Sequence, residues 1–382
     1  MKIGFICNEF PPEKCGGIGI FTSELAENLI NNNCHVVVIG IYQGLENDQC
    51  TTKHNGLLTV YRLASHKGRL AAYRNRIRVF RLVQKLADQG DIQLIELPDF
   101  EGWGAGWPKL KIPVIVRLHG SLTYFAAEMN EKVSIMTRFL EKLSLNRANT
   151  IVSVSEYTAN KTKQLFSVRK NIPIIYNTVA LPDASRCKKS YELTHTVTYS
   201  GSLVKKKGVF SLAEAWPLVR KQYPQAKLIM IGKDVLYQGE SAQKLIKKLA
   251  REDADSISFT GHISKTEMEN IQVNSDLAIY PSYSEAFALA PMEAMALGIP
   301  TIYSSRASGP ELVVNEEGLL CDPDDLNDIS KKICLLLGND RLRENLGTIG
   351  KKRILRDFAP SKILDKNLEL YRSIVLFDNS GF

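Results

Sequence analysis

Short runs rich in β-branched residues alternate with longer stretches of helical period, and they do so in two successive series. That alternation belongs to parallel βαβ units and argues against a sandwich. In the first series strands are expected near 2–7, 35–41, 57–63, 92–97, 113–118, 150–154 and 172–175. The pattern weakens between Asn177 and Thr194, where Pro182, Asp183, Ser185 and the basic run Arg186-Cys187-Lys188-Lys189 read as a linker. A second series opens at Thr196-Val197-Thr198-Tyr199 and continues through Lys227–Ile231, Ser256–Thr260, Leu277–Tyr280 and Thr301–Tyr303. The expected fold class is α/β, with two doubly wound Rossmann-like domains over 1–185 and 190–360 facing a cleft at the carboxyl ends of both sets of strands. A last helix over 361–382 has no strand after it and is expected to cross back to the first domain.

Composition agrees with two domains. The 382 residues exceed the ~250 to 300 at which a single core stops growing. The longest apolar runs, such as Val36–Ile41 and Ile112–Val116, fall short of the ~18 residues of a spanning helix. Met1-Lys2 leads directly into Ile3-Gly4-Phe5-Ile6-Cys7, which reads as a first strand and not as a signal peptide. Seven cysteines, an odd number without any Cys-x-x-Cys pair, fit a reducing cytoplasm. The formal charge of +8, from 49 basic and 41 acidic residues, permits a phosphate-rich partner without naming it. The basic segments lack interleaved aromatic residues, so nucleic acid is not expected as a partner.

The most informative segment runs from Tyr280 to Pro300. A strand ends at Tyr280, Glu285 sits in the turn, and Leu289–Leu297 reads as a short helix stopped by Gly298 with Pro300 beyond. Free amides at that helix start favour an anion, and Glu285 and Glu293 beside them can accept hydrogen bonds from sugar hydroxyls. Taken alone, the two read as a capping residue and a solvated one. Gly201-Ser202-Leu203-Val204-Lys205-Lys206-Lys207-Gly208 also joins a strand to a helix. A lysine there can neutralise a diphosphate, although a solvated basic turn has the same composition.

Three further places follow strands of the first series. Gly16-Gly17-Ile18-Gly19 lacks the third glycine of a dinucleotide fingerprint, and the second strand does not end in an acidic residue, so a dehydrogenase is not expected. His119 follows Val114–Leu118, and Asp99 and Glu101 follow Leu97-Pro98. Each could be structural. Asp322-Pro323-Asp324-Asp325 resembles a metal-binding cluster, but aspartates at a turn and helix start explain it without one.

The segment around Glu285 and Glu293 resembles the Glu-x7-Glu motif of the retaining glycosyltransferases of family 4, which have the GT-B fold. Gly16-Gly17, His119, Gly201–Gly208 and Ser308-Gly309-Pro310-Glu311 match in the expected order, so the resemblance covers nearly the whole chain. It implies transfer of a sugar from a nucleotide diphosphate sugar, preferably a UDP sugar, to a saccharide or lipid-linked saccharide, in surface polysaccharide or glycan synthesis. The second domain would hold the donor and the first the acceptor, with no metal and no other cofactor. Glu285, His119 and Lys207 would be catalytic. Gly16, Gly17, Gly201, Ser202, Lys207, Phe287, Ala288, Leu289 and Glu293 would bind the donor, and Asp99 and Glu101 would meet the acceptor. Where the family has Gly-Arg, this chain has Gly201-Ser202, leaving one fewer positive charge at the leaving group unless Lys205 or Lys206 substitutes. A nucleotide-sugar epimerase of the same architecture is the competing enzyme.

From Arg69 to Ala87, helical period places Arg74, Arg78, Arg81 and Lys85 on one stripe beside Leu70, Tyr73, Ile77 and Phe80. The stripe is either the solvated edge of a packed helix or a contact for an anionic membrane surface.

Overall fold

The computed structural model describes residues 1–13, 15–68, 70–314 and 317–379. The chain divides into two compact units, one of residues 1–177 together with Pro360 onward, the other Thr178–Ala359. Residues 178–185, assigned to the first domain from the sequence, group with the second. Their linker is anchored there: Thr178 donates to the Phe358 carbonyl at 2.7 Å, and Lys188 Nζ donates to the Ser275 carbonyl at 2.7 Å.

The first unit holds a seven-stranded sheet in the order β3-β4-β2-β1-β5-β6-β7. Its strands are β1 (Lys2–Ile6), β2 (His35–Tyr42), β3 (Gln49–Lys53), β4 (Leu58–Ala64), β5 (Leu94–Pro98), β6 (Val114–Leu118) and β7 (Thr150–Ser153). All pairings are parallel except β3 with β4. β5 and β6 are buried at every position, and the one charged residue of each, Glu96 and Arg117, pairs with the other. β3, Gln-Cys-Thr-Thr-Lys, has no apolar alternation and no buried residue, so nothing in the sequence marks it. Residues 172–175 contribute only an isolated bridge between Ser153 and Ile174, because Pro173 cannot donate to a ladder.

Helices α1 (Gly17–Asn31), α2 (Ala71–Asp88), α3 (Leu122–Glu128), α4 (Ile135–Arg147) and α5 (Glu156–Phe166) belong to this unit. On α2 the basic stripe is not uniform: Arg78 pairs with Asp48 and donates to the Ala64 carbonyl, while Arg74, Arg81 and Lys85 are exposed. Arg69 lies outside the described residues.

The second unit holds a six-stranded parallel sheet in the order β12-β9-β8-β13-β14-β15. These are β8 (Thr196–Ser200), β9 (Lys227–Ile231), β12 (Ile257–Gly261), β13 (Leu277–Tyr280), β14 (Thr301–Ser304) and β15 (Leu319–Cys321). A small hairpin, β10 (Leu236–Tyr237) with β11 (Glu240–Ser241), is separate. Helices α6 (Val209–Gln222), α7 (Ala242–Ala250), α8 (Lys265–Val273), α9 (Leu289–Ala296), α10 (Gly309–Leu312), α11 (Leu326–Leu337) and α12 (Asp340–Asp357) complete it. The last helix, α13 (Pro360–Asn379), packs in the first unit, adding Ile363, Leu364, Leu368 and Tyr371 to the core around β1 and β2.

Each sheet has one point where strand order reverses, between β1 and β5 in the first unit and between β8 and β13 in the second. Ligands of open α/β sheets bind outside the carboxyl ends of the strands at such points. The glycine loop and Asp99 flank the first reversal; the lysine loop and Glu285 flank the second. No described helix is long and apolar enough to cross a membrane.

Candidate functional site

In the second unit, Lys205–Lys207 form one tight turn between β8 and α6. Gly208 ends it at φ 70°, and a Cβ there would fall on the Pro281 carbonyl oxygen, so only glycine lets the lysine turn lie against the end of β13. The Lys206 carbonyl accepts from Tyr283 N at 2.8 Å. This close packing puts the Lys207 ammonium in an ion pair with Glu285 across the strand reversal. Lys206 is half-buried, and desolvation lowers its pKa below the usual lysine value against the opposing pull of Glu285. Ser202, standing where the family has arginine, is exposed.

Beyond Glu285 the chain turns into α9. Phe287 is buried, with its ring 5.4 Å from that of Phe358. Ala288 caps the helix without a side-chain acceptor, so the first amides of α9 receive nothing from their own cap. Glu293 lies on the second turn, where burial raises its pKa and Lys265, at 3.7 Å, partly offsets that shift. Sequence reasoning missed Lys265, which lies on α8 and is brought to Glu293 only by the fold. Asp325 caps α11 by accepting from Asn327 N and Asp328 N, at 2.9 and 3.1 Å. Arg306 pairs with both Asp322 and Asp324. Among the described residues no group of three or more histidine, cysteine or acidic side chains is arranged to hold a metal ion.

In the first unit, the amides at the start of α1 are partly occupied from within. Glu9 accepts from Gly16 N at 3.0 Å and from Gly19 N at 2.8 Å. Gly17 is exposed, and no described atom lies within 4 Å of where its Cβ would stand. The open approach is therefore at Gly17, while Glu9, which the sequence did not single out, shapes the loop.

His119 follows β6. Its ring meets the edge of Phe21 at 4.7 Å, and the Arg117 guanidinium stacks on the other ring, 5.0 Å from its centroid. Burial, aided by the positive charge of Arg117, lowers the His119 pKa to about 3, so the imidazole is neutral. Arg117 is itself fully buried and bidentate on Glu96, at 2.6 and 3.0 Å, and it also donates to Asn367 of α13 at 2.6 Å. The two acceptor candidates separate. Glu101 is exposed, with φ 62°, whereas Asp99 is only 2% exposed and accepts from His119 N at 2.8 Å.

Comparison with known proteins agrees with this architecture. The profile for Glycosyltransferase Family 4 matches residues 15–181, and that for Glycosyl transferases group 1 matches 185–353. The chain is 27% identical over 312 residues to O-antigen chain mannosyltransferase B of Escherichia coli, covering 74% of this chain and 77% of that protein. Sucrose-phosphate synthase from Thermosynechococcus elongatus superposes with a TM-score of 0.81 at 21% identity, covering 97% of this chain and 98% of the other. HepE of Anabaena, solved with UDP-glucose, superposes at 0.76 with 17% identity, covering 98% of this chain and all of the other. The chain belongs to the GT-B glycosyltransferases, with a family 4 domain followed by a group 1 domain.

Proposed function

We propose that this glycosyltransferase moves a hexose, with retention of configuration, from a UDP sugar to a hydroxyl of a saccharide or lipid-linked saccharide in surface polysaccharide or glycan synthesis. The observation that carries the reading is the pairing of Lys207 with Glu285 at the strand reversal, next to the uncapped start of α9. A diphosphate arriving there draws Lys207 to itself and releases Glu285 to accept from sugar hydroxyls. As the glycosidic bond to phosphate breaks, negative charge gathers on the leaving diphosphate, where Lys207, the first amides of α9 and the Gly17 amide stabilise it. Lys206 and Lys205 stand in for the arginine that Ser202 replaces. Glu293 accepts from the ribose. Gly16, Gly201, Phe287, Ala288 and Leu289 form the donor's backbone surroundings, Glu101 meets the acceptor, and neutral His119 contacts the transferred sugar. Among the described residues no side chain offers an obvious nucleophile, so the acceptor hydroxyl attacks from the face the phosphate leaves and passes its proton to that phosphate. No metal takes part in this scheme, and chelator should leave turnover unchanged.

The mannosyltransferase relative and the neighbour solved with UDP-glucose point to different sugars, and a thermal-shift screen of nucleotide diphosphates and their sugars decides between donors. Stabilisation confined to guanosine compounds would replace UDP by a guanosine donor. The anomeric configuration of the product by NMR tests the mechanism, since inversion would sink it. Donor turnover without acceptor, giving an epimerised sugar, would favour the epimerase.

We also infer contact with an anionic membrane surface. Its support lies on α4 more than on the α2 stripe: Ile135, Met136 and Phe139 are 89, 63 and 54% exposed, among the exposed cations Lys132, Arg138 and Lys142. Cosedimentation with anionic but not neutral vesicles, lost when the three apolar residues become serine, is the expected result.

A further inference from the structure

His119 lies in a turn whose backbone is held by two buried carboxyl groups from different elements. Asp99, just after β5, accepts from His119 N at 2.8 Å, and the Gly120 amide also stabilises its charged form. Glu141, on α4, accepts from Leu122 N at 2.8 Å, Thr123 N at 3.1 Å and Thr123 Oγ1 at 2.5 Å. Ser121 then accepts from Tyr124 N at 3.1 Å. The amides at the start of α3 are thus taken by protein groups, so this turn offers no anion site. Its form instead fixes where the His119 ring stands, with Phe21 setting the other side.

Asp99 is more than a turn residue by this geometry. Its carboxyl is 2% exposed, and Oδ2 has no hydrogen-bond partner among the described residues. Burial, with the nearby Glu141 charge reinforcing it, raises the pKa to about 8 against the pull of the His119 and Gly120 amides. Burial thus holds its proton on to higher pH than in an ordinary aspartate, and since it accepts from a backbone amide, what the turn requires of it is an accepting oxygen.

We propose that Asp99 is a positioning residue for the transfer reaction, holding the His119 turn so that the imidazole stands against the transferred sugar. This rests on the reading that His119 contacts that sugar. Asp99 does not itself exchange a proton with the substrate. Glu141 completes the clamp at the next two amides.

The experiment compares Asp99→Ala, Asp99→Asn, His119→Ala and the double alanine variant. Transfer is measured from the nucleotide sugar that gives the largest thermal shift, and amide hydrogen exchange is followed across 116–125. Asp99→Ala should lower kcat by ~10- to 100-fold with donor KM unchanged, as expected of a misplaced group, and should speed exchange at His119 and Gly120. Asp99→Asn keeps an accepting oxygen at the same place and should restore both. The double variant should be no slower than His119→Ala, because Asp99 acts through His119. An Asn variant as slow as the Ala variant would make the carboxyl a direct participant and overturn the proposal, as would additive losses in the double variant. If Asp99→Ala does not fold, Asp99→Asn decides alone: activity retained supports the proposal, activity lost overturns it. A His119→Ala variant with normal kcat would instead sink the reading of His119, a result distinct from altered exchange in the Asp99 variants.

Discussion

At the scale of single residues, the two glutamates of the 280–300 segment occupy different surroundings and should fail differently. Glu285 is buried and paired with Lys207, while Glu293 is half-buried on the second turn of α9 beside Lys265. Glu285→Ala should mainly lower kcat, and Glu293→Ala should mainly weaken donor binding; equal small effects would leave both as packing residues. Lys207→Ala should lower activity by ~100-fold or more, as for loss of one preorganised donor at a developing charge, and near-normal turnover would pass its role to Lys205 or Lys206. Two groups of the first unit make stability depend on pH with opposite signs. His119, lowered from 6.5 to about 3, stays neutral when folded, so stability falls as pH drops from 6.5 towards 3. Asp99, raised from 3.8 to about 8, keeps a proton the unfolded chain loses, so stability falls as pH rises from 3.8 towards 8. Between 6.5 and 8 Asp99 acts alone. Urea unfolding should therefore show Asp99→Asn gaining on the parent by up to ~2 kcal/mol across that window. A difference constant with pH would mean that Asp99 is already ionised at pH 6.5.

At the scale of elements, the strands most legible in the sequence were those buried on both faces, since full burial leaves a run of Val, Ile and Leu that turn residues bracket. β3 and β15 were not legible: one is a polar edge, the other only three residues long. The lysine turn was legible as a basic loop, and Glu285 and Glu293 stood out through the resemblance to the Glu-x7-Glu motif. That Asp99 turns inward while Glu101 two residues later stays exposed could not be read, because a polar turn looks the same whichever way each carboxyl points. Lys265 and Phe21 reach their neighbours only through tertiary packing, which leaves no local pattern. The lysine turn also depends on one backbone position. Gly208→Ala would meet the Pro281 carbonyl and an unfavourable φ together, so we expect a loss of ~2 kcal/mol or more and the disappearance of the UDP thermal shift. A variant with unchanged UDP binding would show that the turn can move away from β13 without cost to the site.

At the scale of the molecule, the first unit is discontinuous, with α13 supplied from beyond the whole of the second. Its contribution is large: Ile363, Leu364, Leu368 and Tyr371 are buried in the first unit's core, and each such side chain is worth ~1.5 to 3 kcal/mol as an upper figure. Without α13, Arg117 also loses Asn367 and Tyr371. A chain ending at 359 should therefore lose the cooperative unfolding of the first unit in calorimetry while the second keeps its own transition; two intact transitions would show α13 to be dispensable. Arg117 and Asn367 are 250 positions apart. At synthesis rates of ~5 to 20 residues per second, the ribosome needs roughly 10 to 50 s to deliver the second after the first. For that interval the earliest-made sheet holds a charged pair still missing part of its seal, and the unit begun second is the first whose residues have all been made.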